Sequence, residues 1–197
     1  MYSLRKPTPR QIEMFLSIMA DAPYSYTEVG ASRTAPPTGY RVGKICGRIG
    51  RGAAAFERAK DAIRRWAMFP QNLVDLHDRG APIEPGTLAV PLLRGPGFWL
   101  CAACRIVYVL DEHDEQENIT RFGFAYGTLD EHLERGEERF LVEWHRNDDS
   151  VWYDLLAFSR PNGLVSTLGD PMIRVMQGRF RRQSLAAMTE AATEANV

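Results

Sequence analysis

The chain has 197 residues, of which 45% are hydrophobic and 25% are charged, a composition typical of one folded domain rather than of a disordered chain. Its 24 basic and 25 acidic residues give a formal net charge of −1. We therefore expect no nucleic-acid partner, because such binding neutralises many phosphates at once. Three cysteines, with no apolar stretch near the roughly 20 residues of a membrane-spanning helix, predict a cytoplasmic protein without a disulfide scaffold or integral membrane association.

The N-terminal segment predicts a helix. Thr8 can cap it, Pro9 fits the first helical position because it has no N–H to lose, and Gln11 can complete a capping box. Pro23 ends the apolar stripe that follows. The chain is accordingly divided into three parts: an N-terminal helical extension (1–23), a single domain (24–192) and a tail (193–197).

The middle of the chain predicts a strand over residues 40–48, a helix from about Ala53 to Ala67, and then a series of strands. After Pro70 the hydrophobic pattern changes from helical to alternating. Six segments rich in β-branched and aromatic residues are predicted as strands: Leu73–His77, Thr87–Leu93, Trp99–Leu110, Ile119–Thr128, Arg139–Arg146 and Val151–Ser159. The links between them are too short for crossover helices, so neighbouring strands should be antiparallel.

From Leu164 the helical period returns and continues to about Ala192. This terminal helix is the long apolar stripe available to cover one face of the sheet. The sequence therefore predicts an α+β fold, in which a curved antiparallel sheet of about seven strands packs against a long C-terminal helix, with an extra N-terminal helix. This order of elements resembles the helix-grip architecture of START and birch-pollen-allergen-like proteins, which commonly enclose an apolar cavity. A fold resemblance alone assigns no function.

A closer resemblance lies in eight local strings, in chain order: Tyr26–Arg33, Ile49–Glu57, Trp66–Pro70, Ala81–Thr87, Arg105–Val109, Arg121–Leu129, Gly136–Trp144 and Asp149–Pro161. Together they resemble the family called domain of unknown function 1990, also called uncharacterised protein family 0548, over about residues 24–190. Ile49 is the one departure, since leucine is expected there. The resemblance supports the fold and implies no catalytic residue, because the family has no established activity.

Two short motifs have both a functional and a structural interpretation. Gly50-Arg51-Gly52 matches the start of a dinucleotide-binding fingerprint, but that site needs repeated βαβ units and the following segments predict hairpins, so a helix entry is favoured. Cys101 and Cys104 form one CxxC pair. Residues three apart on a strand point to opposite faces, so buried thiols are favoured over a metal site. No metal and no cofactor is predicted.

One polar group follows from the predicted pairing of the last two strands. With a turn at Asp148-Asp149, Trp144 faces Tyr153, and Glu143 faces Asp154 on the other side of the sheet. Two facing carboxylates repel each other, so a cation or a raised pKa is expected beside them.

Arg105, two strands away, is the best candidate for this cation. Arg105, Glu143 and Asp154 are thus the candidate catalytic residues of a hydrolase or cyclase type of enzyme. A solvent-exposed ion cluster is the favoured alternative.

The leading hypothesis is a non-catalytic binder or carrier of a small apolar molecule. A narrow helix stripe cannot cover all the large side chains on one sheet face, unless the helix that carries Trp66 also contributes. We therefore expect a cavity of a few hundred Å³. Its predicted lining is aromatic on the sheet and apolar on the helix: Phe122, Phe124, Tyr126, Trp144, Tyr153, Met172, Met176 and Phe180.

A third hypothesis is a protein-interaction module that docks through basic residues on two helices. These residues are Arg58, Lys60, Arg64, Arg65, Arg174, Arg179, Arg181 and Arg182. The sequence leaves the oligomeric state open.

Overall fold

A computed structural model describes residues 2–95, 97–130, 132–163 and 170–193. The helices are α1 (Pro9–Met19), α2 (Gly52–Arg64) and α3 (Asp170–Thr193), with a short 3-10 turn at Ala31–Arg33. The strands are β1 (Tyr2–Ser3), β2 (Arg41–Arg51), β3 (Val74–Leu76), β4 (Leu88–Ala89), β5 (Pro91–Gly95), β6 (Phe98–Cys101), β7 (Cys104–Asp114), β8 (Ile119–Thr128), β9 (Glu134–His145) and β10 (Ser150–Pro161). The predicted start of the terminal helix, residues 164–169, lies outside the described residues.

The main sheet has six antiparallel strands in the order β2-β10-β9-β8-β7-β4. Its long strands alternate between a buried inner face and an outer face, as half-buried antiparallel strands do. Phe140 and Leu155 are directly opposite each other on the inner face, and both are fully buried. Helix α3 packs across this face, with Met188 and Ala192 fully buried. The predicted α+β fold with a C-terminal helix on a curled sheet is confirmed.

The strand count differs from the prediction because two segments bend from one sheet into another. The predicted strand Thr87–Leu93 is divided at Val90, and Trp99–Leu110 is divided at Ala102-Ala103. The second half of the former segment, β5, pairs with the first half of the latter, β6, in a smaller sheet of order β1-β6-β5-β3. Ala102 donates its N–H to the Pro91 carbonyl (3.0 Å). Ala102 and Ala103 are small and buried, so the two segments can approach each other closely at this corner. The continuous apolar pattern of the sequence does not show this bend.

Cys101 and Cys104 lie on either side of this bend; both are buried, and neither forms a disulfide. They therefore pack as thiols at the corner between the two sheets.

Helix α1 forms as its sequence predicts. The Gln11 N–H donates to the Thr8 hydroxyl while the Gln11 side chain accepts the Thr8 N–H (2.9 Å), which is a complete capping box. The buried side chains Ile12 and Phe15 pack on the smaller sheet, against residues that include Leu92. This second core is separate from the one beneath α3.

No helix among the described residues is both long and apolar enough to cross a membrane.

Candidate functional site

The predicted catalytic group is not assembled, and the first reason is the register of β9 and β10. Their connection is a four-residue loop, 146–149, and the strands pair with Tyr153 opposite Val142. This register differs by two residues from the predicted one. Side chains therefore keep their predicted faces but change their partners: Glu143 lies opposite Trp152, and Asp154 lies opposite Leu141.

Arg105 has a different role from the predicted one. Its guanidinium donates to the carbonyl oxygens of Met19 (3.0 Å), Ala20 (2.7 Å) and Ala22 (2.9 Å), where α1 ends. These are carbonyls that a helix leaves without internal partners, so Arg105 fastens the end of α1 to β7. The prediction missed this contact because it depends on a tertiary contact with the N-terminal helix.

The two carboxylates each have their own cations. Arg121 donates to Glu143 (2.8 Å), whereas Asp154 accepts from Arg139 (2.7 Å) and pairs with Lys44 (2.9 Å). Arg105, Glu143 and Asp154 thus share the outer face of the sheet without forming one group.

Two further aromatic rings occupy the space in which the apolar cavity was expected. Helix α2 and the turn after it bring Trp66 and Phe69 onto the inner face of the sheet. The Trp66 ring centroid lies 4.9 Å from that of Phe124, and the Phe69 centroid lies 5.5 Å from that of Phe140. Trp66 is fully buried and donates its indole N–H to the Ala81 carbonyl (2.9 Å). These two large rings occupy the space between sheet and helix.

The residues predicted to line the cavity therefore have different surroundings. Six of the eight are packed in or against the core: Phe122, Phe124, Tyr126, Tyr153 and the partly buried Trp144 and Phe180. Phe180 contacts the Phe69 ring at 5.5 Å. Met172 and Met176 are 53% and 38% exposed, which places them on the side of α3 away from the sheet.

A pocket of about 190 Å³ lies instead between the N-terminal half of α3 and strands β2 and β10; we call it the α3 pocket. Its lining residues are Arg41, Val42, Gly43, Ala157 and Ser159 on the strands, and Arg174, Gln177 and Arg181 on α3. Ala157 is the direct cross-strand neighbour of Gly43, and Ser159 is that of Arg41. The small residues on these two strands leave space under the helix that large side chains fill elsewhere.

Arg181 extends from α3 onto the floor of this pocket. A Cβ built on Gly43 would overlap Nη1 of Arg181, so the guanidinium lies directly on the glycine. Within the described part of the chain, no hydrogen bond or ion pair occupies this guanidinium. Because Arg181 is only partly buried, its five N–H donors are accessible to water or to a ligand.

Glu138 rises from the same face beside the pocket, opposite Ala157 on β10 and Tyr126 on β8. The Tyr126 hydroxyl donates to Oε2 of Glu138 (2.6 Å). Removal from water raises the pKa of Glu138 to about 7, while the Tyr126 hydrogen bond and the Arg181 charge act in the opposite direction. At neutral pH this carboxyl group therefore exists in both the protonated and the ionised form.

Below the pocket, a hydrogen bond of 2.7 Å joins the hydroxyl groups of Tyr153 and Ser184, both fully buried. This bond attaches the middle of α3 to the sheet.

Glu137, the preceding residue, points to the outer face and fixes the loop before β2. Its carboxylate accepts the Tyr26 hydroxyl (2.6 Å), the Gly30 N–H (2.7 Å), the Ser32 N–H (2.9 Å) and the Ser32 hydroxyl. Glu137 is 3% exposed. Four donors neutralise its burial cost, so it acts as a structural anchor.

The sequence-based prediction missed both glutamates because it began this strand at Arg139, whereas β9 begins at Glu134. The alternation of Glu138 with Phe140 and Val142 is the signal that would have placed Glu138 on the inner face.

A second depression of about 340 Å³ lies near α1, lined by Leu16, His77, Asp78, Leu88, Ala89 and Val90. Its carboxylate, on Asp78, already accepts the Gly80 N–H (2.7 Å). Across the described ranges, no group of three or more His, Cys, Asp and Glu side chains is arranged to hold a metal ion.

The basic residues of α2 are engaged within the chain. Lys60 pairs with Asp111 (3.3 Å), and Arg58 donates to the Ala192 carbonyl (2.8 Å).

Comparison with known proteins gives a family. The model of the family described as "Domain of unknown function (DUF1990)" matches residues 25–187. A UPF0548 protein of Deinococcus radiodurans is 37% identical over 205 residues, covering 98% of this chain and 99% of the relative. A UPF0548 protein of Dictyostelium discoideum is 31% identical over 207 residues, covering 97% and 95%.

Among solved structures, the hypothetical protein jhp0584 from Helicobacter pylori is similar with a TM-score of 0.49 and 10% identity, over 86% of this chain and 96% of that one. The family model and the two relatives together establish that the chain belongs to the DUF1990 family.

Proposed function

We propose that this member of the DUF1990 family binds a small molecule in the α3 pocket. The observation that carries the proposal is the pocket itself, an open space of about 190 Å³ between sheet and helix in a core that is otherwise filled by aromatic rings. Pockets for drug-sized ligands usually measure about 300–1,000 Å³. Because the α3 pocket is smaller than this, we expect a small ligand, of one or two fused rings.

The unequal attachment of α3 supports a ligand at this position. The C-terminal half of the helix is held by the buried residues Ser184, Met188 and Ala192. The N-terminal half covers the pocket and leaves Met172 and Val175 exposed, the latter at 71%. Because few buried contacts hold this half, it can adjust to a ligand at low cost in free energy.

The floor and the wall of the pocket supply two kinds of contact. Gly43 and Ala157 offer backbone and methyl surface for an apolar ring, while Ser159 and Gln177 offer hydrogen-bonding groups. The proposed ligand accordingly keeps an apolar body and adds a polar group.

The test uses a small neutral aromatic probe, naphthalene-2-carboxamide, and observes backbone amide resonances by NMR. We expect shift changes at Gly43, Ala157 and Gln177. Ala157→Leu should abolish binding because its side chain fills the pocket, whereas Ala186→Leu, on the exposed side of α3, should leave binding unchanged. Shift changes spread over the surface, or equal binding by both variants, would contradict the proposal.

Native mass spectrometry of freshly purified protein adds an independent measurement. A copurified small molecule that is absent from Ala157→Leu would support the proposal directly.

A further inference from the structure

We infer that the α3 pocket selects ligands that carry a carboxylate group, with Arg181 as its charge partner and Glu138 as a proton-carrying neighbour. This inference rests on the proposed function and names the chemical class of the ligand. It depends on three features of the pocket: the sign of its charge, the unused donors of Arg181, and the hydrogen-bonding state of Glu138.

The lining of the pocket is positively charged. It includes Arg41, Arg174 and Arg181, and none of the lining residues that the structure describes is acidic. Arg41 has an acidic partner outside the lining, Glu134, at 3.5 Å. Arg181 is the lining arginine whose charge no carboxylate within the described residues pairs with, so it contributes a positive potential to this small volume. An anion would enter this space favourably, whereas a cation would be repelled.

Arg181 is the group placed to bind the anion directly. Its guanidinium lies against Gly43 on the pocket floor, and no hydrogen bond or ion pair occupies it within the described ranges. The nearby carboxyl group of Glu138 contributes an electrostatic interaction, but the two groups do not come within ion-pair distance. The planar donor fork of an arginine matches the two oxygens of a carboxylate, and such bidentate pairs are among the strong hydrogen bonds in proteins.

Glu138 is not a lining residue, but it is the cross-strand neighbour of the lining residue Ala157, so its carboxyl group lies next to the pocket. Oε2 accepts the Tyr126 hydroxyl (2.6 Å), which leaves Oε1 available on the inner face. A carboxylic acid can donate one hydrogen bond, whereas a carboxylate can only accept. A bound anion therefore favours the protonated form of Glu138, because two adjacent negative charges repel each other. Binding of a carboxylate should consequently take up a proton from solution.

The other titratable groups that interact electrostatically with Glu138 do not supply this proton. They come from four elements: Tyr126 on β8, Tyr153 on β10, Cys104 on β7 and Arg181 on α3. Burial raises the pKa of Tyr126, Tyr153 and Cys104, so these groups stay neutral near pH 7. Arg181 is permanently charged. Glu138 is thus the member of this set that titrates near neutral pH.

The experiment compares two probes of nearly equal shape, naphthalene-2-carboxylate and naphthalene-2-carboxamide, by isothermal titration calorimetry. We expect the carboxylate to bind the wild-type protein about tenfold more tightly or better, which is the range for one charge-assisted hydrogen-bonded pair. Arg181→Gln should remove this preference, so that the two probes bind with equal affinity. Arg182→Gln, the neighbouring exposed arginine, is the matched control and should preserve the preference.

Repeating the carboxylate titration in buffers of different ionisation enthalpy measures the proton uptake. Wild-type protein at pH 7.5 should take up part of a proton on binding, and Glu138→Gln should take up none. Equal affinity for the two probes would overturn the inference and leave the proposed function standing. Failure of both probes to bind would overturn both. A preference for the carboxylate that Arg182→Gln reduces as much as Arg181→Gln would also overturn the inference, because it would indicate a diffuse surface charge.

Discussion

Glu137 and Glu138 are consecutive residues on β9, and they point to opposite faces of the sheet. On the outer face, Glu137 accepts four hydrogen bonds from Tyr26, Gly30 and Ser32. On the inner face, Glu138 accepts one, from Tyr126. The outer carboxylate lies under a loop that wraps it, whereas the inner one lies beside an open pocket.

The number of hydrogen-bond donors around each buried carboxylate determines its role. A carboxylate with four donors is stable in its ionised form, and it fixes its surroundings in return. Glu138 has one donor and a nearby arginine, and removal from water raises its pKa to about 7. A group that is only partly satisfied by its own chain remains able to interact with a ligand.

The largest expected effect comes from removing the outer anchor. Glu137→Gln replaces one acceptor oxygen by an NH₂ group that faces donors, so we expect a loss of about 3 kcal/mol in the free energy of unfolding. Chemical denaturation measures the loss, and hydrogen exchange of the Gly30 and Ser32 amides should accelerate. Glu138→Gln is the matched control, with an expected change within about 1 kcal/mol at pH 7. Equal losses in the two variants would contradict the division of roles.

The next effect is a pH dependence that belongs to Glu138. The pKa of its carboxyl group is about 7 in the folded protein, against an ordinary value of 4.5, so the folded state binds more protons between these values. The contribution of Glu138 is therefore fully present below about pH 4.5 and is lost as the pH rises through about 7. The expected loss is about 2 kcal/mol, allowing for partial contact with water.

Denaturation of wild type and Glu138→Gln from pH 5 to 8 isolates this contribution. Burial lowers the pKa of His132 to about 4, which weakens stability as the pH falls below about 6.5 and so opposes Glu138. This histidine is unchanged in the variant and cancels from the difference. If the difference in free energy of unfolding between wild type and Glu138→Gln does not decline between pH 5 and 8, then folding does not raise the pKa of Glu138 and the prediction is wrong.

The sequence predicted those parts of the fold that depend on local pattern. The bounds of β8, Ile119–Thr128, agree with the prediction, as does the capping box of α1. The start of β9 was missed because residues 134–138 contain four charged residues and a glycine, which is a loop-like composition. Their charged side chains make tertiary contacts that the local pattern does not show, such as the one between Glu137 and Tyr26, 111 positions apart.

The cavity prediction failed at its expected position for a similar reason. The pattern could not show that the turn after α2 places Trp66 and Phe69 on the sheet, because Trp66 adopts a left-handed backbone conformation with φ of 55°. The sequence also gave no sign that Arg105 caps α1.

A smaller effect follows from removing one tyrosine hydroxyl on each side of the sheet. Tyr26→Phe deletes one of the four hydrogen bonds to Glu137 and should cost about 1.5 kcal/mol, whereas Tyr126→Phe should cost about 1 kcal/mol. The Tyr126 hydrogen bond lowers the pKa of Glu138, so Tyr126→Phe should raise that pKa further above its ordinary value. Carbon-13 NMR of the Glu138 side chain measures it. A lower pKa of Glu138 in Tyr126→Phe would contradict the prediction, because it would mean that the Tyr126 hydroxyl does not donate its proton to this carboxylate.

The smallest expected change in stability is that of Gly43→Ala, within about 1 kcal/mol. The added methyl group overlaps the end of the flexible Arg181 side chain, which can move away, and alanine loses less backbone entropy on folding. Gly123→Ala is the matched control, because there the methyl group would overlap the Phe140 carbonyl oxygen, which is backbone and cannot yield. We expect Gly123→Ala to be strongly destabilised.

Gly43→Ala should instead remain folded and lose its preference for naphthalene-2-carboxylate, since the displaced guanidinium no longer lies on the pocket floor. Retention of that preference would mean that the position of Arg181 on Gly43 does not matter to the ligand.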